Sequence, residues 1–402
     1  MSRTLVVLGG SSDQLFLIRT AQEMGLRVLA FDRDPRCPAA SVADEFAALS
    51  TRDLRALAGF LDERRGEVAG VATMGSDIPE LVAALAAHVG APHLAPETAR
   101  LATDKLAMKE RFRASDVPTP WFAEVRSARE LERLARERGG ELVLKPVDRS
   151  GSRGVFLLDA SADLAPYFER ARELSFSGRV MVEEYLAGPQ ISTETLLWRG
   201  RAATPGFADR NYELLDRFRP RIMENGGWVP SALGAAERAA VEAVVTRAAR
   251  ALGIESGVAK GDVVLAPEGP RVIEIAARLS GGDFCESLVP LGTGLNYVRA
   301  AIRIAIGEEP DLDALVPTFE RAVANRYFFP QPGRVERIEG EDEVRARDWV
   351  HKLELWYGPG ERVPEPSSHA QRFGVFVVSA PERETAQERV DWVYDTLRIV
   401  TS

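Results

Sequence analysis

GVAKGDVVLAPEGPRVIEIAARLSGGDF, residues 257–284, decides the fold of this chain. It reads as two strands, GVAKGDVVLA and PRVIEIAARL, joined by a Pro-Glu-Gly-Pro turn at 267–270. Side chains alternate across a strand, so Lys260 and Asp262 share one face, and Glu274, Ala276 and Arg278 share a face of the partner strand. Their neighbours Val272, Ile273, Ile275, Ala277 and Leu279 are apolar, which places these charges amid a buried sheet. Burying several charges is costly unless they neutralise one another or bind an ion. Two carboxylates on adjacent strands can hold Mg²⁺ between phosphate oxygens, because Mg²⁺ takes one or two carboxylates plus phosphate and water. An internal salt-bridge cluster of Lys260, Asp262, Glu274 and Arg278 would satisfy the same charges, and these two strands alone do not separate the readings.

Two clusters upstream bear on the choice. In LVLKPVDRSGSRGV (142–155) a strand carries Lys145 into a loop, Asp148 to Gly154. Its small residues let backbone amides approach phosphate oxygens, while Lys145 and Arg153 supply positive charge. A flexible hairpin turn would look similar. In VMVEEYLAGPQ (180–190) a strand running into Glu183, Glu184 and Leu186 can present backbone groups and a carboxylate to an adenine edge. An edge strand with solvated acids is the plainer reading of that stretch alone.

Further out, the front of the chain alternates strands with helices. Strands are expected at Thr4–Leu8, Arg27–Phe31 and Gly70–Thr73, and helices at Gln14–Met24, Leu54–Arg64 and Asp77–Val89. Such alternation predicts βαβ units and a parallel sheet. LGGSSDQ lacks the glycine spacing of a dinucleotide site, and Asp32 after the second strand is only suggestive. Met74–Asp77 (MGSD) precedes a helix and reads best as an N-cap, although helix N-termini also attract anions. From Pro118 to Gln190, strands meet through hairpins with a few helices, an α+β lid. Ala235–Leu252 is a long Ala-rich helix, and residues 208–231 read as a long irregular loop mixing Arg, Tyr, Glu and Trp. Such loops line binding sites, which makes Arg210, Arg221 and Glu224 candidates for holding substrate carboxylate and amine groups. The boundaries expected are a front α/β domain over 1–96, a core over 97–318 with its lid at about 118–190, and a small C-terminal α+β domain over 319–402 ending on a helix at Glu384–Leu397.

The 402 residues are 45% hydrophobic and 28% charged, with a formal net charge of -9, an ordinary globular balance that disfavours a nucleic-acid surface. The two cysteines cannot form a disulfide framework, so a reducing compartment is expected. Cys285 reads as packing because no basic partner is near it in sequence. The four histidines lack ligand spacing, which disfavours a transition-metal site. No window has the apolar length to span a bilayer, and a cytoplasmic location is expected.

The order LATDKLAMKERF, VLKPVDRSGSRGV, VEEYLAGPQIS and AKGD…VIEIAARLSGG resembles the ATP-grasp superfamily of carboxylate–amine ligases. That group includes biotin carboxylase, the carbamoyl-phosphate synthase large subunit and the L-amino acid ligases. The resemblance covers nearly the whole chain: a strand–helix front domain bordering the substrate cleft, a two-part core with lid, and a small C-terminal domain. It implies Lys105 and Lys145 on nucleotide phosphates, with the loop Ser150, Gly151, Ser152 and Gly154 closing over them. Glu183, Glu184 and Leu186 would form the adenine hinge. Asp262 and Glu274, twelve residues apart, would hold Mg²⁺. Arg278, with Lys260 beside it, would steady the acyl phosphate, and Gly281 and Gly282 would let the reacting carboxylate come close. Gln190 stands where many members carry a Glu for the ribose hydroxyls, and Ala276 where many carry an Asn completing the metal shell; the number of metal ions stays open. The implied activity is Mg-ATP-dependent amide formation between a small acid, an amino acid for preference, and an amine. The alternatives are carboxylation with bicarbonate, or nucleotide binding without turnover. Dimers are common in the superfamily.

Overall fold

The computed structural model describes residues 3–402. Strands form at Thr4–Leu8, Arg27–Phe31 and Val68–Ala72, and a short strand, Glu45–Ala47, joins them. All pair in parallel, in the order Glu45–Ala47, Arg27–Phe31, Thr4–Leu8, Val68–Ala72. Thr4–Leu8 is buried at every position, because the sheet is covered on both faces and only a continuous apolar run tolerates that. The chain builds outward from Thr4–Leu8 on one side, then returns to its other side with Val68–Ala72. A crevice opens where strand order reverses in this way. There Asp13, from helix Ser12–Glu23, meets Gly75: a Cβ on Gly75 would lie 2.9 Å from Asp13 Oδ2.

The lid is a four-stranded antiparallel sheet in the order Phe122–Val125, Val180–Glu184, Leu142–Pro146, Phe156–Leu158. Helices Ala128–Arg138 and Ala165–Leu174 bury Leu131, Leu134, Phe168 and Ala171 against it. Ser127 caps the first of these by accepting the Glu130 N–H, and Gly139, at φ +63°, ends it.

The core is an eight-stranded sheet. Its spatial order is Gly269–Ala276, Gly257–Ala266, Gln190–Trp198, Arg201–Arg210, Gly227–Val229, Ala322–Phe328, Gly374–Ala380, Val350–Leu355. Helix Ala235–Ala251 packs Val241, Val244, Val245 and Ala248 onto Val263, Val272 and Ile275. The last three strands in that order come from the segment expected to form a separate small domain. They continue the core sheet by backbone hydrogen bonds, Trp228 pairing with Ala324 and Ala324 with Val378. A three-stranded sheet, Arg362–Val363, Gly333–Glu339, Arg398–Thr401, and helix Arg383–Thr396 complete that segment.

The stretch 208–231 is less irregular than expected. It holds the end of strand Arg201–Arg210, a short helix Leu215–Phe218 and strand Gly227–Val229. Asp209, Arg210 and Glu224 mask the strand periodicity because these charges face a cleft rather than solvent or core. No helix among the described residues is long and apolar enough to cross a membrane.

Candidate active site

Lid sheet, core sheet and front crevice enclose one cavity of about 530 Å³, within the usual range for small-molecule sites. Val143, Val155 and Leu186 from the lid and Val264 and Ile273 from the core give part of it apolar walls. Charged residues from each of the four sequence clusters line the rest.

Asp262 and Glu274 are directly opposite partners on adjacent strands, with a bulge immediately after Asp262. Like charges so placed repel unless cations intervene. Asp262 is met by Lys260 and by Arg210 Nη1 at 3.2 Å, and it accepts a hydrogen bond from Ser192 Oγ at 2.7 Å. Burial opposes ionisation of Asp262, but Arg210 and Lys260 outweigh it and hold the carboxyl well below the usual carboxylate range. Glu274 accepts from Lys105 Nζ at 2.8 Å. Burial would depress the Lys105 ammonium, yet Glu274, Asp77 and Glu183 together raise it above its ordinary value. The internal cluster weighed from the sequence is thus not closed within its two strands: Glu274 pairs with Lys105 and Arg278 pairs elsewhere.

Arg278 lies just beyond the strand, which ends at Ala276, and donates its own N–H to the Ala276 carbonyl at 3.0 Å. Its Nε reaches Asp77 Oδ1 at 2.7 Å across the front crevice. This corrects the N-cap reading of Met74–Asp77. The helix begins at Pro79, no side chain caps it, and Asp77 turns into the cavity. The same crossing brings Gly75 N–H onto Leu279 O at 3.0 Å and leaves no room for a side chain at Gly281, whose Cβ would lie 2.9 Å from both Gly75 Cα and Asp13 Oδ2. Gly281 and Gly282 both line the cavity.

In the loop after Lys145, Gly151 and Ser152 both take positive φ, +64° and +59°. Ser152 Oγ donates to Ile222 O at 2.6 Å and His369 N–H donates to Gly151 O at 3.1 Å, so the loop is pinned down from two sides. Ser150, Gly151 and Ser152 line the cavity, as do Glu184, Leu186 and Gln190. Gly154 does not; its φ of +74° and a Cβ position 3.0 Å from Pro146 Cγ make it a turn-forming residue. Arg210 and Glu224 line the cavity and pair with each other, Arg210 Nε donating to Glu224 Oε2 at 2.9 Å. Arg221 stays outside and faces Glu365 at 3.6 Å, because its side chain leaves the opposite side of the chain from its neighbour Ile222.

Glu183 does not present its carboxylate to solvent. It is buried between Lys145 and Lys109 Nζ, the latter at 2.8 Å. Lys109 was missed from the sequence, since a Lys four positions after Lys105 on helix Lys105–Ala114 looks like a solvated helix face. With two lysines sharing one carboxylate, the net charge is positive. Burial first, and then Lys145, push Lys109 down to about 8 despite Glu183. Between that value and lysine's ordinary 10.5 the unfolded chain binds more protons than the folded one, so stability rises with pH over this window. Urea unfolding at pH 8 and at about pH 10 should show that rise in the wild type and lose it in Lys109→Met; an unchanged rise would remove Lys109 as its source.

Two other residues act structurally. Asp32 accepts the Gly10 N–H at 2.8 Å. Cys285 is buried with its Sγ 2.9 Å from Glu194 Oε2, a carboxyl that also accepts from Tyr297 and the Ser280 N–H. Burial pushes both the thiol and the Glu194 carboxyl up, so Cys285 stays a protonated packing residue.

The site also receives residues that no spacing in the sequence marked. His369 and Arg372, from the C-terminal segment, line the cavity beside Glu224 and Tyr327. Burial, reinforced by Arg372, Arg210, Lys260 and Arg153, holds His369 well below its ordinary value, so it is neutral near pH 7.

Comparison with known proteins agrees with this geometry. Residues 102–282 match the family model described as ATP-grasp domain, and 326–402 match L-amino acid ligase C-terminal domain 2. The uncharacterized protein y4rH of Sinorhizobium fredii is 27% identical over 361 residues, 87% of this chain and 73% of the relative. A D-alanine–D-alanine ligase of Aromatoleum aromaticum is 30% identical over 212 residues, 51% of this chain and 65% of that enzyme, so the match spans less than two thirds of the ligase. The crystal structure of an L-amino acid ligase from Bacillus licheniformis superposes with a TM-score of 0.83 at 22% identity, covering 100% of this chain and 99% of that one. The two acidic strands, the lid lysine and the pinned loop around one cavity all fall in the part of the chain that matches the ATP-grasp domain, and the whole chain shares the fold of that L-amino acid ligase.

Proposed function

We propose that this protein is an ATP-dependent ligase that joins a small carboxylic acid, an amino acid or similar compound, to an amine. A substrate carboxylate oxygen attacks the γ-phosphorus of ATP, forming a C–O–P linkage as the bond to ADP breaks. The amine nitrogen then attacks the acyl carbon, phosphate leaves, and the amine gives up a proton. The observation that carries this reading is the meeting of Lys105, Lys145, Asp262, Glu274 and Arg278 in one cavity.

Lys105 and Lys145 sit where they can neutralise phosphate oxygens, and the amides of Ser150–Ser152 can approach those oxygens because the loop is small and pinned. Val143, Leu186 and Ile273 suit a flat base, with Glu183, Glu184 and Gln190 beside them. Asp262 and Glu274 form an all-oxygen pair fit for Mg²⁺, which when bound would screen the charge of the phosphates. Arg278, with Lys260 opposite Ala276, supplies fixed positive charge next to the glycine pair, where an acyl phosphate would form. Ala276 adds no oxygen, so this chain offers two carboxylates rather than a larger protein cage.

The test is ADP release from Mg-ATP by purified protein, across a matrix of carboxylic acids crossed with amines and including bicarbonate. Release that requires one acid and one amine together is the expected result. Release with bicarbonate and one amine would turn the reading to carboxylation. Silence in every well, with Mg-ADP still bound, would count against catalysis.

A further inference from the structure

Most charged residues lining the cavity already have a partner. Lys105, Lys145, Arg210, Lys260 and Arg278 each meet a carboxylate. Arg149 and Arg153, which form no ion pair among the described residues, flank the small loop, where the phosphates of the proposed nucleotide would face them, and the buried Arg149 Nε likewise has no partner. Arg372 lies away from that loop and is more deeply buried. It is 5% exposed and has no carboxylate partner among the described residues. Its Cζ lies 3.7 Å from the centre of the Tyr327 ring, and its Nη2 donates to the Glu224 carbonyl at 2.5 Å. Its Nε is buried with no hydrogen-bond partner at all. A guanidinium carries five N–H donors, and a buried cation without a counter-ion is costly, so an anion entering the cavity beside it is strongly favoured.

Position identifies the kind of anion. The Tyr327 hydroxyl beneath Arg372 lies 3.4 Å from where a Cβ on Gly282 would sit, which puts Arg372 at the Gly281–Gly282 end of the cavity. Asp13, at that same end, is a lining acid without a cation partner among the described residues. Unspent charges of both signs near the reacting end match a zwitterionic amino acid. The neighbouring histidine, His369, hands Arg372 no competing negative charge, and its Nε2 is occupied by the Glu224 N–H at 3.4 Å.

We propose that Arg372 is a specificity-determining residue that binds the free α-carboxylate of an amino-acid substrate, a group carried into the active site by the C-terminal segment. This rests on the ligase reading above and narrows its amine substrate to an amino acid, whose α-carboxylate stays unreacted. An arginine fork pairs with a carboxylate through two parallel hydrogen bonds.

The experiment compares the proteinogenic L-amino acids with the corresponding L-amino acid amides, each in the presence of Mg-ADP. Melting-temperature shift reads binding, and ADP release from Mg-ATP by pairs drawn from the same panel reads turnover. The wild type is expected to bind free acids in preference to their amides. Arg372→Gln should weaken binding of the free acids by about 10- to 100-fold, the loss of hydrogen bonds to a charged group. It should leave amide binding and the Mg-ADP shift unchanged, while Arg372→Lys keeps part of the preference. A wild type indifferent to the carboxylate, or a preference that survives in Arg372→Gln, overturns the proposal. So does an equal loss of Mg-ADP binding, which would make Arg372 a phosphate contact. If the wild type prefers free acids and the preference needs Arg372, but no pair releases ADP, the subsite stands and the ligase reading falls.

Discussion

Arg278→Gln should stop ADP release and also destabilise the fold, and adding Asp77→Asn should restore the stability but not the turnover. Arg278 Nε and Asp77 Oδ1 are 2.7 Å apart, and no other cation pairs with Asp77 among the described residues. Burial would raise the Asp77 carboxyl, but Arg278 reverses this and holds it below the usual carboxylate range. Removing one member of a buried pair leaves the other charge uncompensated, at about 3–5 kcal/mol for full burial. With side chains 14% and 26% exposed, water recovers part of that, and a loss of about 2–3 kcal/mol is expected. The pH dependence separates this effect from general damage. In the wild type the contribution of Asp77 is present above the ordinary carboxylate pKa and fades as pH falls through its depressed value. In Arg278→Gln the lone Asp77 is neutral only in acid, so the variant is least impaired there. Urea unfolding across pH, beside ADP release, checks both halves. Turnover returning in the Asp77→Asn, Arg278→Gln double variant would reduce Arg278 to a structural residue.

Glu274→Gln should also remove most of the activity, at a smaller cost in stability. Its carboxylate faces Asp262 across the strand pair and takes a hydrogen bond from Lys105. Exchange to the amide keeps the shape and an acceptor for Lys105, which retains the fields of Asp77 and Glu183. The fold should therefore lose no more than about 1–2 kcal/mol. Charge stabilisation by a metal ion is worth several kcal/mol in a transition state, and each 1.36 kcal/mol is tenfold in rate, so a fall of about three orders of magnitude or more is expected. Excess Mg²⁺ should restore the rate only in part, because it can refill the weakened site but not replace the lost carboxylate. Turnover within tenfold of the wild type would exclude Glu274 from the reaction.

Local pattern made much of this legible. Thr4–Leu8 and Arg27–Phe31 form strands at the expected residues because a parallel strand covered on both faces is a short continuous apolar run, recognisable without knowing its neighbours. The two strands of 257–276 were equally legible, since a tight turn sets their register and alternation sets their faces. That placed Asp262 and Glu274 on adjacent strands before any tertiary contact was known, and the bulge after Asp262 then set them opposite each other. The four ordered motifs carried the family resemblance for the same reason: each is a local unit.

Contacts between distant segments decided the rest. Asp77 looked like a cap, yet it pairs with a residue 201 positions away. Arg278 looked like the third member of a strand face, yet the strand ends before it. Lys109 looked solvated, and only the lid strand carrying Glu183 buries it. Strands Ala322–Phe328 and Gly374–Ala380 join the core sheet because Gly227–Val229 offers them an edge, and that strand was hidden within charged residues. His369 and Arg372 have no motif, and their place in the cavity exists only because the C-terminal turn packs onto Gly151 and Glu224. The sequence by itself determined which residues could bear charge within buried strands, because periodicity and turn chemistry act over a few residues. The tertiary structure alone decided which opposite charge each of them meets, because Coulomb energy depends on distance in space and that distance is set by packing.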